Sequence, residues 1–235
     1  SFQSIYGEII LAEQRHHIYK TKDGTEVVSV TEVLHRNLGW SKDALIGWAR
    51  REAMEGRDPL RAKDKSSERG TVAHARIAAY LRGKRFKKDK EYSSEVLEET
   101  WAMRETFIKW WKRSGGKVLL CEEPLVHEEL GYGGTIDLVA DIGGPTLLDI
   151  KTSASIWPEH HIQVAAYEKL LTSSQSPLLG KNVRNGVEKV GIVHLPRSGE
   201  LVVRICPRGE IEAAWKVFEH LLAIEKLRPF VAPRG

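Results

Sequence analysis

Cysteine is scarce in this sequence. Its 235 residues include two, Cys121 and Cys206, far apart along the chain. Two thiols cannot complete a four-cysteine zinc or iron–sulfur centre. Nor can they build a disulfide framework, so a reducing compartment, the cytoplasm, is the expectation. Long apolar runs are missing too, and none approaches the roughly 18 residues that a membrane span requires. Ser1-Phe2-Gln3-Ser4 carries no basic stretch ahead of an apolar core, so no signal peptide is expected. A strong excess of one charge is also absent. Lys plus Arg number 36 and Asp plus Glu 32, a net +4. This permits a polyanionic partner without demanding one. There is no internal repeat, no low-complexity tract and no Gly-x-Ser-x-Gly elbow. Gly131-Tyr132-Gly133-Gly134 lacks the Lys and the helix of a phosphate loop. The pairs His16-His17 and His160-His161 are adjacent, and adjacent residues on a helix diverge, so neither makes an obvious zinc site. What remains, 41% hydrophobic and 29% charged residues, excludes a mostly disordered chain. It suffices for one core, or a core with a smaller lobe.

The pattern divides near residue 116. Residues 1–116 read mainly as helix. Residues 117–235 read as three strands, a helix, two strands and a helix. Ile18-Tyr19 and Val27-Val28 flank Lys22-Asp23-Gly24, a hairpin turn. Ser29-Val30-Thr31-Glu32 fits a capping box. Ser41 is placed to cap a second helix with Leu45, Trp48 and Ala49 as its apolar stripe. Gly56 to Gly70 is rich in charge and reads as a loop, and a third helix spans Thr71 to Leu81. Ser93 or Ser94 opens a long fourth helix that Gly115-Gly116 stops. Lys117–His127, Gly134–Ile142 and Thr146–Thr152 read as strands, with turns at Gly131 to Gly134 and Gly143-Gly144-Pro145. Pro158 suits the first turn of a helix to about Leu171. Lys189–Leu195 and Leu201–Ile205 are strands around Arg197-Ser198-Gly199. The last helix, about Glu210 to Leu227, carries Ala214, Trp215, Phe218, Leu221 and Leu222 on one face. The expected fold is α/β, a central mixed β-sheet flanked by helices with a helical N-terminal part, in one domain over 1–235.

The chemistry concentrates in Gly134-Thr135-Ile136-Asp137 and Leu148-Asp149-Ile150-Lys151-Thr152. Strand residues two apart share a face, so Asp149 and Lys151 emerge together while Leu148 and Ile150 point to the core. A short hairpin brings Asp137 beside Asp149. Two carboxylates and an ammonium then converge, and the carboxylates offer hard oxygen ligands to Mg²⁺ or Mn²⁺. The Ile150 carbonyl is a further donor, and Lys151 can neutralise charge at a phosphate. Asp-x-Lys on a strand is also a common exposed ion pair worth about 0–1 kcal/mol. What argues against that here is the strongly apolar setting, where an unpaired charge is expensive.

These residues resemble the PD-(D/E)xK nuclease superfamily. The resemblance runs through Glu123, Gly134-Thr135-Ile136-Asp137, Asp149-Ile150-Lys151-Thr152 and Gln163-x-x-x-Tyr167. Within the superfamily the likeness is to RecB-type nuclease domains and to phage and mitochondrial-genome-maintenance exonucleases. Gly70-Thr71-Val72-Ala73-His74 and Ser29-Val30-Thr31-Glu32-Val33-Leu34 match further segments of that group. The likeness covers about residues 25 to 170. It implies a restriction-endonuclease-like core, a need for one or two Mg²⁺ or Mn²⁺ ions, and DNA hydrolysis. It also implies His74, Asp137, Asp149 and the Ile150 carbonyl as metal ligands, and Lys151 as the catalytic lysine. Gln163 and Tyr167 would face the active site, holding the metal-site strands or the nucleic acid. The branch of the superfamily with an iron–sulfur cluster needs four cysteines, and this chain has two.

His74 also has a bottom-up reading as a ligand that shifts preference toward Mn²⁺; the alternative is a buried imidazole bonded to a backbone carbonyl. Glu123 stands as a ligand for a second metal or a holder of Lys151, or else as a cross-strand ion pair, with Glu122 facing the opposite way. The basic run Arg82-Gly83-Lys84-Arg85-Phe86-Lys87-Lys88-Asp89-Lys90 follows the His74 helix and could contact several phosphates, the alternative being a solvated charged loop. Arg69 is a further candidate for phosphate, and Trp157 for base stacking. The expected function is a metal-dependent DNA exonuclease acting on free or single-stranded ends in recombination, repair or phage DNA processing. The expected setting is the cytoplasm of a bacterial or phage-infected cell. The alternatives are a structure-specific or restriction-type endonuclease and a non-catalytic DNA-binding module.

Overall fold

Asp23 sets the first turn. Its carboxylate accepts from the Thr21 hydroxyl at 2.5 Å and from the Thr25 amide at 3.1 Å, with Gly24 at φ 87°. A computed structural model describes residues 9–10, 17–88, 90–173, 183, 186–197 and 200–231. Within it, strand β1 (Ile9–Ile10) is the first element. The Asp23 turn then joins β2 (Tyr19–Lys20) to β3 (Glu26–Ser29), antiparallel with Tyr19 opposite Val27. Ser29 ends β3 and caps helix α1 (Val30–Asn37), and its capping box with Glu32 is formed at both ends. His16, Asp89 and the Ser198-Gly199 part of the expected last turn lie outside the described residues.

Helix α2 (Lys42–Met54) follows Ser41, whose side chain makes no cap bond. The expected apolar stripe is corrected here: no residue of α2 is buried, and Leu45 and Ile46 are exposed. Helix α3 (Pro59–Leu81) replaces the expected loop. Its N-cap Asp58 accepts from the Leu60 amide, and Pro59 occupies the first turn. The charge-rich stretch from 59 to 70 is a solvated helical segment rather than a loop, and Gly70 sits within it. A short β4 (Phe86–Lys87) pairs in parallel with β1. Helix α4 (Ser94–Ser114) is capped by Ser93 and ends at Gly115, left-handed at φ 63°.

The second half follows the expected order: β5 (Lys117–His127), β6 (Tyr132–Asp141), β7 (Pro145–Lys151), α5 (Pro158–Ser173), β8 (Lys189–His194), β9 (Val202–Ile205) and α6 (Arg208–Val231). Seven strands form one mixed sheet, in which β2, β3, β6, β7, β8 and β9 are successive neighbours and β5 also pairs with β6. One face packs on α5 and α6 through Ile136, Val139, Leu147, Leu170 and Phe218. The other packs on α3 and α4 through Ile77, Phe107, Leu138, Leu148 and Ile150. The result is an α/β fold with a central mixed sheet flanked by helices. Among the described residues no helix is long and apolar enough to cross a membrane.

Candidate active site

A fork in the sheet positions the acids. β5 pairs along one flank of β6 from end to end. The other flank is shared: β3 pairs with Tyr132 and Gly133, and β7 with Leu138 to Asp141. Residues 134–137 lie between, where β3 and β7 part. There the Asp137 side chain takes the place of a strand, its Oδ2 accepting from the Ile150 amide at 2.8 Å. The alternation of β6 breaks at the same point. Ile136 and Val139 belong to the α5–α6 core, whereas Leu138 belongs to the α3–α4 core. The break lets Asp137 turn toward α3, along with Leu138.

β5 breaks opposite. Cys121 pairs with Leu138 and Glu123 with Ile136, which leaves Glu122 across from Asp137. Glu122 has φ +50°, a left-handed conformation that costs a non-glycine residue roughly 1–2 kcal/mol. Strain of this kind concentrates at functional sites. Arg82, at the end of α3, holds the distortion by donating to the Cys121 carbonyl and, at 2.9 Å, to that of Glu122. This corrects the expectation for the two glutamates. Glu122 joins the cluster, and Glu123 falls opposite Ile136, outside it. Strict alternation would point Glu122 away, and the left-handed residue reverses that.

His74, Glu122 and Asp137 each bring a donor atom within 4.8 Å of the others. His74 Nδ1 lies 3.5 Å from Asp137 Oδ1. Burial works to keep the imidazole neutral, but the Asp137 carboxylate, helped by Glu122, pushes its pKa up to about 9. Asp137 is the counterpart: burial opposes its charge, yet His74, Lys151 and the Ile150 amide hold its pKa below the ordinary value. Burial and the neighbouring Asp137 push Glu122 up to about 8.

Asp149 is 1% exposed. Lys151 Nζ lies 2.8 Å from its Oδ2 in a buried ion pair, and Asp149 Oδ1 has no hydrogen-bond partner. Burial raises Asp149 to about 6 against the pull of Lys151. Lys151 also donates to Gln163 Oε1 at 3.0 Å, and Gln163 Nε2 donates to the Tyr167 hydroxyl at 2.8 Å. The i, i+4 spacing on α5 thus steers the ammonium. Gly133 and Gly134, expected in a turn, are buried inside β6 instead. A Cβ on Gly134 would meet the Tyr167 ring at 2.6 Å, and one on Gly133 the Tyr19 ring at 2.4 Å. Tyr19 bonds Thr135 at 2.9 Å beside Asp137, and sequence reasoning gave it no role. The signal that could have found it is the Gly-Gly pair, small residues where two rings approach.

The donor set suits a hard divalent ion: one imidazole and two carboxylates, with the buried carboxylate of Asp149 on the neighbouring strand. A strand residue's N–H and C=O point to the same flank, so the Ile150 carbonyl opens into the fork along with its amide. Among the described residues, His74, Glu122 and Asp137 form the group whose donor atoms lie close enough together for one ion.

Residues expected to bind nucleic acid are scattered. Arg69 is tied to Glu99 at 3.3 Å and to Ser66, with its Nε unpartnered, and Arg82 is tied to the β5 carbonyls. Arg85, Lys87 and Lys88 line a cleft of their own beside α3 and α4, while Lys84 sits half-buried in the turn before β4. Trp157 is partly exposed before α5, its amide bonded to His160 Nδ1 at 3.1 Å.

The fold and the fork define a class: a mixed-sheet α/β protein with an acid–acid–lysine cluster where the strands part. No protein-family model matches the chain, and no curated protein sequence matches it. Solved structures overlap it loosely. One, from Eubacterium rectale and provisionally described as an exonuclease, is 11% identical over 68% of this chain and 66% of its own, with TM-score 0.45. This chain thus spans just under two thirds of that one. LHK-Exo, in complex with dAMP, is 15% identical over 88% of this chain and 93% of its own, with TM-score 0.31. Overlaps this loose leave the chemistry to be argued from the side chains.

Proposed function

We propose that this chain is a divalent-metal-dependent nuclease of the PD-(D/E)xK type, hydrolysing phosphodiester bonds in DNA from free or single-stranded ends. One observation carries the reading. His74, Glu122 and Asp137 gather their donor atoms at a strand fork, beside the buried Asp149–Lys151 ion pair.

His74, Glu122, Asp137, Asp149 and the Ile150 carbonyl would hold the metal. A bound divalent ion supplies Lewis-acid charge at the phosphate and lowers the pKa of water. The chain's own part is positional. Lys151, fixed by Asp149 and Gln163, presents an ammonium where negative charge accumulates on the phosphate. Tyr167 and Gln163 fix that ammonium, and Arg82 fixes the strand that carries Glu122. The water oxygen bonds to phosphorus, one ester oxygen departs, and the proton lost by water ends on the leaving oxygen or in solvent. No covalent enzyme intermediate is required.

The test is digestion of end-labelled DNA, single- and double-stranded, linear and circular, in Mg²⁺, Mn²⁺, Ca²⁺ or EDTA, beside Lys151→Ala. Cutting of linear substrates in Mg²⁺ or Mn²⁺, lost in EDTA and in the variant, supports the proposal. Cutting of closed circles moves it to an endonuclease. Binding with no cutting under any condition moves it to a DNA-binding module.

A further inference from the structure

Arg76 is one of the few charged side chains buried in this fold, at 8% exposure, and sequence reasoning passed over it. It lies on α3 two residues beyond His74, so the helix carries it away from the metal cluster. Its guanidinium carbon sits 4.5 Å from the Phe86 ring centroid and 5.5 Å from that of Trp101. No carboxylate among the described residues pairs with it, and its Nε has no hydrogen-bond partner. The nearest strong electrostatic neighbour is repulsive. Arg104, which shares the Trp101 ring at 5.1 Å, acts with burial to lower the pKa of Arg76. Two aromatic faces offset only part of the cost of burying a guanidinium that stays charged.

The same residue floors an open cleft of about 470 Å³. Its other walls are Arg85, Phe86, Lys87, Lys88 and Leu97. Lys88 is shared with Glu91 at 3.2 Å, an exposed pair that an arriving anion can displace. The cleft therefore combines a buried cation lacking a counter-ion, a basic rim, and the apolar Phe86 and Leu97. Its volume takes a nucleotide unit with room for water.

We propose that this cleft is a phosphate site outside the hydrolytic centre, with Arg76 as the fixed cation and Arg85 at the rim. The planar guanidinium, held against Phe86, is arranged for a phosphate oxygen pair. The occupant is a phosphate group of a nucleic-acid strand. A free mononucleotide has the same chemistry and is separated from it by the test. The strand assignment rests on the nuclease reading; the anion site does not.

The experiment measures binding of fluorescein-labelled oligothymidylate in EDTA, which prevents metal-dependent cutting, as a function of salt. Binding of thymidine monophosphate is measured alongside by calorimetry. The chains are wild type, Arg76→Met and Arg85→Ala, with thermal unfolding recorded for each. Expected are an affinity loss of roughly tenfold or more in Arg76→Met, and a log–log salt slope shallower by about 0.7, one single-strand phosphate contact. Arg76→Met should unfold no earlier than wild type, because an unpaired buried charge is gone. Arg85→Ala should weaken binding with unfolding unchanged. Wild-type affinity and slope in both variants would overturn the proposal, as would an Arg76→Met chain that melts early yet binds normally. If the monophosphate binds wild type but not Arg76→Met while oligonucleotide affinity is unmoved, the anion site stands and the strand is the wrong ligand. If wild type binds neither, the site is refuted whatever the digestion assay reports.

Discussion

Lys151→Met removes the ammonium but keeps the side chain's length, and it leaves Asp149 without its ion-pair partner at 2.8 Å. Asp149 already titrates near 6 rather than its ordinary 3.8, burial raising it and Lys151 restraining the rise. Without Lys151 the folded chain keeps that proton to higher pH. A carboxyl raised on folding contributes stability that is full below its unfolded pKa and is lost as pH rises through its folded one. In wild type the Asp149 loss ends near pH 6; in the variant it continues. The difference between the two chains should therefore be small below about pH 6 and grow by about 1.4 kcal/mol per pH unit above it. The growth stops where Asp149 of the variant ionises; a buried pair broken from one side typically costs about 3–5 kcal/mol. Urea unfolding in EDTA at three pH values between 6 and 9, followed by tryptophan fluorescence, reads this directly. In the double variant Asp149→Asn, Lys151→Met the pH dependence of the difference should vanish. A Lys151→Met cost that stays constant from pH 6 to 9 would refute the reasoning.

Gly134→Ala places a methyl 2.6 Å from the Tyr167 ring, so it should cost about 1–3 kcal/mol in urea unfolding; a neutral result would mean the ring moves freely. Arg82→Met frees the Cys121 and Glu122 carbonyls, and Mn²⁺ affinity by calorimetry should fall about 10- to 100-fold, an unchanged affinity counting against a role in shaping the site. Metal binding must displace protons held at pH 7 by Glu122, raised to about 8, and by His74, raised to about 9. Mn²⁺ affinity should thus rise from pH 6 to 8, with proton release visible as a buffer-dependent heat; a flat profile contradicts the assignment of these two as ligands.

Much of the fold was legible because its elements carry local signals. The Ser29–Glu32 box, Ser93, Gly115 and Pro158 each mark an end where a helix begins or stops. The Asp149–Lys151 period placed both charges on one face, and the structure puts them in contact. What was not legible depends on tertiary geometry. The 59–70 segment reads as a loop by charge alone, but one N-cap and a proline let it continue as helix into Thr71. Glu122 was placed on the wrong face because a two-residue period cannot anticipate a left-handed residue. Gly133-Gly134 resembles a turn in any sequence, and only the Tyr19 and Tyr167 rings explain why glycine is there. Arg69 and Arg82 look like any surface arginine until Glu99 and the β5 carbonyls are seen to hold them.

The most direct test of the central claim is the single-turnover rate of DNA cleavage in Mn²⁺ by wild type and by Asp149→Asn, with both chains shown to be folded by their unfolding curves. A metal-dependent wild-type rate that falls by about 10³-fold or more in Asp149→Asn, on the order of 4 kcal/mol of transition-state stabilisation, is the predicted result. Equal rates in the two chains, or cutting that persists in EDTA, would contradict it.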